Sequence, residues 1–159
     1  MKALILFGTR NGFTGKTAKV IEEVLINKGY SVDVFENKVL KNKIKELDTY
    51  NIVIAGSSIM AGLWKRGVKS FLKKNGKNIK NLYLFATAAG VLNSVDTGTR
   101  TKEEAVKIAT ERYITPLVSK YSLKLKGSTV LGGQFGKGDK IKYNNWNEKD
   151  IREFAEKID

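Results

Sequence analysis

The sequence predicts a single α/β domain in which helices cover both faces of a doubly wound, five-stranded parallel sheet with the strand order 2-1-3-4-5. Apolar runs of strand length alternate with helical patterns along all 159 residues. No linker, repeat or break in composition divides the chain, so we expect residues 1–159 to form one domain. Five such units fit this strand order better than the six strands of a dinucleotide-binding fold.

The first half of the chain predicts three strands. Residues 2–7 form a continuous apolar run, which is typical of a central strand buried on both faces of a parallel sheet. From residue 14, apolar residues recur at helical spacing until Gly29, a residue type that commonly ends helices. The segments that follow are a strand at 31–36, a short helical stretch at 40–47 and an apolar strand at 51–56.

The second half continues the alternation. A helix at 64–74 and a strand at 81–87 are followed by Thr101 and Glu104, whose spacing is that of a capping box. We expect one long helix from there to residue 121, bent at Pro116 because proline lacks a backbone donor. The remaining elements are a fifth strand at 125–135 with glycine interruptions and a final helix opened by a capping box of Asn145 and Glu148.

Composition excludes several kinds of chemistry. The chain has no cysteine and no histidine, which excludes disulfides, thiolate nucleophiles, imidazole bases, Cys/His zinc sites and iron–sulfur ligation. No pair of carboxylates stands out as a general acid and base, and we predict neither a metal site nor a catalytic side chain. Redox chemistry would therefore belong to an organic cofactor or a carboxylate-bound metal.

The net charge of +13 invites a nucleic-acid interpretation, since phosphates attract dense lysine and arginine. The excess is mostly lysine scattered along the chain, which favours a solvated surface, then an acidic protein partner, and nucleic acid last. A basic, non-redox module for nucleic acid stays as the alternative from another class, and salt-sensitive binding to DNA or RNA would favour it. The apolar run at 3–7 is too short for a signal peptide core or a membrane span, so we expect a cytoplasmic protein.

The loop at residues 8–17 joins the first strand to the first helix, where unpaired N–H groups and the helix dipole favour an anion. Its hydroxyl and glycine residues suit a phosphate, although Thr14 could also serve only as a helix cap. A nucleotide P-loop fails on spacing, because Arg10 stands where the first glycine is needed. The third strand also ends in Gly56-Ser57-Ser58, without an acidic residue for magnesium.

The run Thr9-Arg10-Asn11-Gly12-Phe13-Thr14 resembles the FMN phosphate loop of flavodoxins. It is most similar to the branch that contains the menaquinone-dependent protoporphyrinogen dehydrogenases. Further matches are residues 53–59 with Gly62, residues 71–74, and Trp146 followed by Phe154-Ala155. The resemblance implies a flavodoxin-like fold, FMN as the cofactor, and electron transfer or flavin-dependent oxidoreduction with a redox partner protein.

The resemblance also implies three groups of cofactor-binding residues. The phosphate would be held by Thr9, Arg10, Asn11, Gly12, Phe13 and Thr14. The isoalloxazine ring would be flanked by Ser57, Ser58, Ile59, Met60, Ala61 and Gly62, and by Thr87, Ala88, Ala89, Gly90 and Val91.

Four other residues stand near these segments. Trp64 could stack on the flavin or anchor the following helix, and Trp146 is expected to pack under the final helix. Asp96 and Arg100 are expected in a polar, solvated loop after the fourth strand.

The chain departs in two ways from the proteins that it resembles. The protoporphyrinogen enzymes carry a long basic and aromatic insertion between the last strand and the last helix, whereas the corresponding segment here, residues 136–144, is short. This weakens the implication of a porphyrin substrate, and a protoporphyrinogen or quinone-linked dehydrogenase stays as an alternative. The basic charge also differs from acidic electron-carrier flavodoxins and predicts a less negative second reduction potential, which a redox titration would measure.

Overall fold

A computed structural model describes residues 1–38 and 46–159, and its main sheet has five parallel strands in the order β2-β1-β3-β4-β5. The predicted α/β class and strand order are therefore confirmed. The five strands are β1 (Lys2–Gly8), β2 (Ser31–Glu36), β3 (Ile52–Ser58), β4 (Leu82–Thr87) and β5 (Leu125–Leu131).

Six α-helices are described, and they cover both faces of the sheet. They are α1 (Phe13–Asn27), α2 (Arg66–Asn75), α3 (Ala89–Asp96), α4 (Lys102–Tyr113), α5 (Thr115–Tyr121) and α6 (Glu148–Glu156). Short 3-10 turns occupy Leu47–Thr49, Gly76–Asn78 and Gly138–Lys140. No helix in the described ranges is long and apolar enough to cross a membrane.

Alternate residues of the strands supply two separate cores, as the two-residue period of a strand requires. Ile5 and Ile54 face α1 and α6, whereas Leu4 and Val53 face α2, α4 and α5. β1 and β3 are buried along nearly their whole length because both faces are covered. The continuous apolar runs at these strands thus have a direct structural cause.

The predicted long helix at 101–121 is wrong in one respect, because the chain forms two helices there. The capping box of Thr101 and Glu104 opens α4 as expected. Pro116 lies in the first turn of α5 and not in the middle of one helix. A proline is tolerated in the first helical turn, where its missing N–H would have no intrahelical partner. Of the helical stretch predicted at 40–47, residues 40–45 lie outside the described residues.

The segment after β5 differs most from the prediction. The strand predicted at 125–135 ends at Leu131, and residues Gln134–Phe135 form a separate strand, β6, paired antiparallel with β7 (Tyr143–Asn144). The predicted capping box of Asn145 and Glu148 is wrong, because the N-cap of α6 is Asn147, whose Oδ1 accepts from Asp150 N–H. Asn145 is used elsewhere, in the connection between this hairpin and α3.

The segment after β4 is also more ordered than predicted. Residues Ala89–Asp96 form α3, so Asp96 ends a helix and does not lie in the expected loop. Arg100 lies beyond α3 and is exposed.

Candidate functional site

A cavity of about 290 Å³ opens at the carboxyl ends of the parallel strands, the edge where open α/β sheets bind ligands. Sheet register brings these ends together, since Gly8 lies opposite Ser57, Ser58 opposite Thr87, and Thr87 opposite Leu131. The cavity is lined by Arg10, Asn11, Phe13, Ser58, Ile59, Met60, Ala61, Gly62, Thr87, Ala88, Ala89, Gly90, Tyr113, Gly133, Gln134, Phe135 and Tyr143. Its volume is close to the lower end of the range for small-molecule sites, about 300 to 1,000 Å³.

The loop after β1 presents unpaired backbone donors at this edge. Gly12 is the N-cap of α1 and has a φ of 90°, a left-handed conformation that glycine adopts without strain. The first hydrogen bond within α1 runs from Lys16 N–H to Gly12 O over 3.1 Å. The N–H groups of Phe13, Thr14 and Gly15 therefore have no acceptor within the helix.

Thr9 fixes the shape of this loop. Its Oγ1 accepts a 2.9 Å hydrogen bond from Gly12 N–H. Because the hydroxyl oxygen is the acceptor here, the hydroxyl hydrogen of Thr9 is left to donate to another group. The loop is thus formed by local contacts and has a further donor besides the helix start.

Thr14 is fully buried and points towards the sheet. Its Oγ1 lies 2.9 Å from the Oγ1 of Thr87 at the end of β4, and the two hydroxyls share a hydrogen bond. The Thr14 side chain therefore connects the loop to the sheet, while its N–H remains at the start of α1. Thr9, Gly12 and Thr14 are not among the residues that line the cavity.

Arg10 crosses from the first loop to the second. Its Nη1 donates to Ser58 O over 2.6 Å and to Ser58 Oγ over 3.1 Å. Partial burial lowers the pKa of the Arg10 guanidinium from its ordinary value, although a guanidinium keeps its charge in proteins. The cavity wall therefore contains a fixed positive charge.

The loop after β3 contains a tight two-residue turn. Met60 and Leu63 exchange two backbone hydrogen bonds, of 3.3 and 2.9 Å, around Ala61 and Gly62. Both central residues have positive φ, 48° and 75°, as in a type I′ turn. Ser57 is fully buried beneath this loop, where its Oγ accepts from Lys65 N–H over 2.8 Å. Ser57 consequently shapes the loop from below and does not line the cavity.

The far wall of the cavity comes from the hairpin β6–β7 and from α4. It includes Gly133, Gln134, Phe135, Tyr143 and Tyr113, none of which the sequence interpretation identified. The Phe135 and Tyr143 rings lie 6.1 Å apart between centroids. The only local signal for this wall was the glycine pair 132–133 at the carboxyl end of a strand.

Asn145 and Asn11 attach this hairpin to the rest of the site. Asn145 Oδ1 accepts from Gly133 N–H over 3.1 Å, and Asn145 Nδ2 donates to Ala89 O over 2.8 Å. Asn11 Nδ2 donates to Gln134 O, which joins the first loop to the hairpin. Asn11 and Arg10 thus contact two different walls of the cavity.

The two tryptophans lie outside the cavity. Trp64 is 4% exposed, packs in the core beneath α2, and donates from its indole nitrogen to Tyr113 O over 2.7 Å. Of the two roles predicted for Trp64, this placement favours the anchor. Trp146 packs against the core beneath α1 and α6 and donates from its indole nitrogen to Thr17 Oγ1 over 3.1 Å.

One further predicted residue, Val91, also lies outside the cavity. Its side chain is half-buried against the core that the sheet forms with α2, α4 and α5.

The donors and the lining of this cavity fit FMN. A Cβ added at Gly12 would meet no atom within 4 Å, so open space lies beside the backbone donors at the start of α1. Such a helix start suits a phosphate. The adjoining walls, which include Met60 and Phe135, combine apolar side chains with backbone polar groups, as ligand sites commonly do.

Solved structures with the same fold include flavodoxins and a larger oxidoreductase. A rubredoxin oxygen:oxidoreductase from Desulfovibrio gigas is 15% identical, with a TM-score of 0.61 over 99% of this chain and 35% of that chain. This chain therefore spans about a third of the length of that protein. Oxidised flavodoxin 1 from Bacillus cereus is 13% identical, with a TM-score of 0.61 over 99% of this chain and 97% of that one. Flavodoxin 2 from Bacillus cereus is 20% identical, with a TM-score of 0.60 and the same coverage.

These likenesses show the fold alone, because every identity is low. No curated protein sequence matches the chain significantly. The family model described as "Flavodoxin domain", by contrast, matches residues 4–156, nearly the whole chain. Flavodoxin domains bind FMN and transfer electrons. From its sequence and its fold, the chain belongs to the flavodoxin domain family.

Proposed function

We propose that this chain binds FMN in the cavity at the carboxyl edge of its sheet and serves as an electron-transfer protein or small flavin-dependent oxidoreductase. One observation carries the proposal. The cavity is lined by Arg10, Asn11 and Phe13 at the start of α1, by the two loops after β3 and β4, and by the aromatic hairpin after β5. A phosphate site and a site for a planar ring are therefore continuous.

The phosphate is assigned to the start of α1. The N–H groups of Phe13, Thr14 and Gly15 and the Thr9 hydroxyl are the donors, and all four are uncharged. Hydrogen bonds to charged groups contribute about 1.5 to 3 kcal/mol each. Four such bonds supply a large share of the roughly 12 kcal/mol that a nanomolar affinity requires.

The ring is assigned to the remaining walls. The backbone after β3 and after β4 provides polar groups, and Met60 and the Phe135–Tyr143 pair provide apolar surface. Bound FMN would supply the redox centre that a chain without cysteine or histidine lacks. The role of the side chains is to hold and orient the cofactor and to set the charge around it.

The experiment compares FMN with riboflavin, which has the same ring and no phosphate. Each is titrated into the apoprotein, and binding is followed by quenching of flavin fluorescence. We expect FMN to bind at least about a hundredfold more tightly, because riboflavin forgoes the charge-assisted bonds at α1. Equal affinities would refute the phosphate assignment, and the absence of quenching by either compound would refute the proposed function.

A quinone-linked or protoporphyrinogen dehydrogenase is a second candidate. The observation that favours it is the presence of three aromatic residues, Tyr113, Phe135 and Tyr143, in the cavity wall, because aromatic side chains pack well against planar ring systems. The test asks whether the FMN-loaded protein oxidises protoporphyrinogen with a quinone as acceptor. A rate no higher than that of free FMN would remove this candidate.

A further inference from the structure

Exposed apolar side chains are concentrated at the mouth of the cavity. Among the described residues, six large apolar side chains are exposed, and four of them are Met60, Leu63, Phe135 and Ile141, with exposed fractions of 48, 57, 45 and 45%. Two lie on the turn after β3 and two on the segment 134–144. Met60 and Phe135 also line the cavity, so both segments border it.

Backbone hydrogen bonds hold these side chains in place. The paired bonds between Met60 and Leu63 close the turn after β3. In the hairpin, Lys142 N–H donates to Phe135 O over 2.9 Å, and β6 pairs with β7. Preformed apolar surface costs less conformational entropy on binding than surface that must first be ordered.

Basic residues lie beside these apolar residues in both segments of the chain. Lys65 and Arg66 follow Leu63, and the segment 134–144 carries Lys137, Lys140 and Lys142 against a single acid, Asp139. None of these five cations forms an ion pair within residues 1–38 and 46–159. The surface thus has an apolar centre and an unneutralised basic rim, which is the usual anatomy of a protein–protein interface.

Resting on the proposed function, we propose that this surface docks an acidic redox protein over the mouth of the FMN cavity. We name it the docking surface, and it consists of residues 60–66 and 134–144. Charge complementarity selects the partner, since an acidic protein gains attraction and faster encounter from the rim. A second copy of this chain would bring two basic rims together and is disfavoured.

A lipid surface fits the same residues less well. Membrane interfaces favour tryptophan beside lysine and arginine. Both tryptophans of this chain are used inside the fold, Trp64 in the core and Trp146 against Thr17.

The test uses the FMN-loaded protein and an acidic [2Fe–2S] ferredoxin as the probe, with binding measured by titration calorimetry. We expect the wild-type Kd to weaken at least about tenfold between about 20 and 300 mM NaCl, because rim charges are screened by salt. The triple variant Lys137→Gln, Lys140→Gln, Lys142→Gln should weaken binding at low salt by about tenfold and flatten the salt dependence.

Two further variants separate charge from apolar contact. The matched control Lys73→Gln, Lys74→Gln, Lys77→Gln removes the same charge from exposed positions at the far end of α2, and it should change Kd less than about twofold. Leu63→Ser with Ile141→Ser should weaken binding while keeping the salt dependence, because apolar contacts are not screened. None of these eight residues lines the cavity, so every variant should retain FMN.

The outcomes distinguish this inference from the proposed function. A protein that takes up no FMN refutes the proposed function, whatever the ferredoxin result. A protein that takes up FMN but binds ferredoxin without salt dependence, or equally in the hairpin and control variants, refutes the docking surface. Co-sedimentation of the wild type with vesicles of three parts phosphatidylcholine to one part phosphatidylglycerol, together with no ferredoxin binding, would also refute it in favour of a lipid surface.

Discussion

The loop after β1 and the hairpin after β5 form adjoining walls of the same cavity, and they are fixed in different ways. The turn that carries the backbone donors of the loop is closed within a few residues, by Gly12 N–H to Thr9 Oγ1, and the side chains of the loop also reach the neighbouring walls. The hairpin is held mainly across the chain, by Asn145 to Ala89 O and by Asn11 to Gln134 O. The geometry of the backbone donors in the first wall is therefore local, whereas the position of the second wall depends on side chains distant in sequence.

The two walls suit different tasks, which are binding the phosphate and contacting the molecules that approach the cofactor. Locally fixed donors at α1 suit a small anion, whose recognition needs only a few N–H groups in the right conformation. The hairpin instead presents aromatic and apolar side chains, some to the cavity and some to solvent. We infer that the first wall determines the affinity for the cofactor and that the second determines what approaches it.

The largest effect is expected from Asn145→Ala, which removes the attachment of the hairpin. Gly133 N–H and Ala89 O would each lose a partner, and leaving buried polar groups unpaired should lower the free energy of unfolding by about 2 to 4 kcal/mol. Urea denaturation measures the loss. The control is Asn144→Ala at the neighbouring exposed position, and equal losses in both variants would show that Asn145 does not hold the hairpin.

The next effect is expected from Trp64→Phe, which tests the connection between the β3–α2 segment and α4. Tyr113 O would lose its indole donor in a partly buried site, and the smaller ring would leave space in the core, so we expect a loss of about 2 kcal/mol in unfolding free energy. FMN affinity should remain within about twofold, because Trp64 lies in the core. A large loss of FMN affinity with unchanged stability would instead assign Trp64 to the flavin.

A smaller effect on stability is expected from Gly12→Ala, paired with Gly29→Ala as its control. Both glycines have positive φ, 90° and 88°, and neither would bring a new Cβ within 4 Å of another atom. Each substitution should therefore cost about 1 kcal/mol of stability. Only Gly12→Ala should also weaken FMN binding, by about tenfold, since it shifts the donors at the start of α1. Equal FMN affinities in the two variants would contradict the role of the first wall.

The smallest effect is expected far from both walls, at Asp33. Its Oδ2 accepts from the Tyr50 hydroxyl over 2.7 Å and pairs with Lys2 Nζ at 3.0 Å. The hydrogen bond from Tyr50, and then that from Lys2, holds the pKa of Asp33 below its ordinary value of 3.8.

Because the folded-state pKa is the lower one, the carboxylate stabilises the fold above the unfolded pKa, and this contribution is lost as the pH falls through the folded pKa. Asp33→Asn should therefore reduce stability slightly at neutral pH and have no effect in strong acid, as measured by denaturation across pH. FMN affinity should not change. A stability difference that persists in strong acid would show that the ion pair is not its cause.

The same contrast explains what the sequence could predict. Buried strands such as β1 and β3, and the capping box at Thr101, follow from local periodicity and spacing, and these predictions are confirmed. Sequence resemblance pointed to the loops after β1, β3 and β4, and several of the predicted residues line the cavity.

The wall after β5 could not be predicted in this way. Asn145 and Glu148 have the spacing of a capping box, but the Asn145 side chain instead forms hydrogen bonds with Gly133 N–H and Ala89 O. Local spacing does not reveal these contacts. Tyr113 lies on α4, and only tertiary packing brings it to the cavity. Trp64 follows the loop that lines the cavity, yet its indole is directed to Tyr113 O in the core.

The most direct test of the central claim, that the start of α1 holds the FMN phosphate, is a phosphorus NMR titration of the complex. Free phosphate monoesters take up a proton with a pKa near 6. Donors that favour the doubly charged form should lower that pKa, so the bound resonance should stay constant between about pH 5.5 and 8. A resonance that moves with pH as it does in free FMN would contradict the claim.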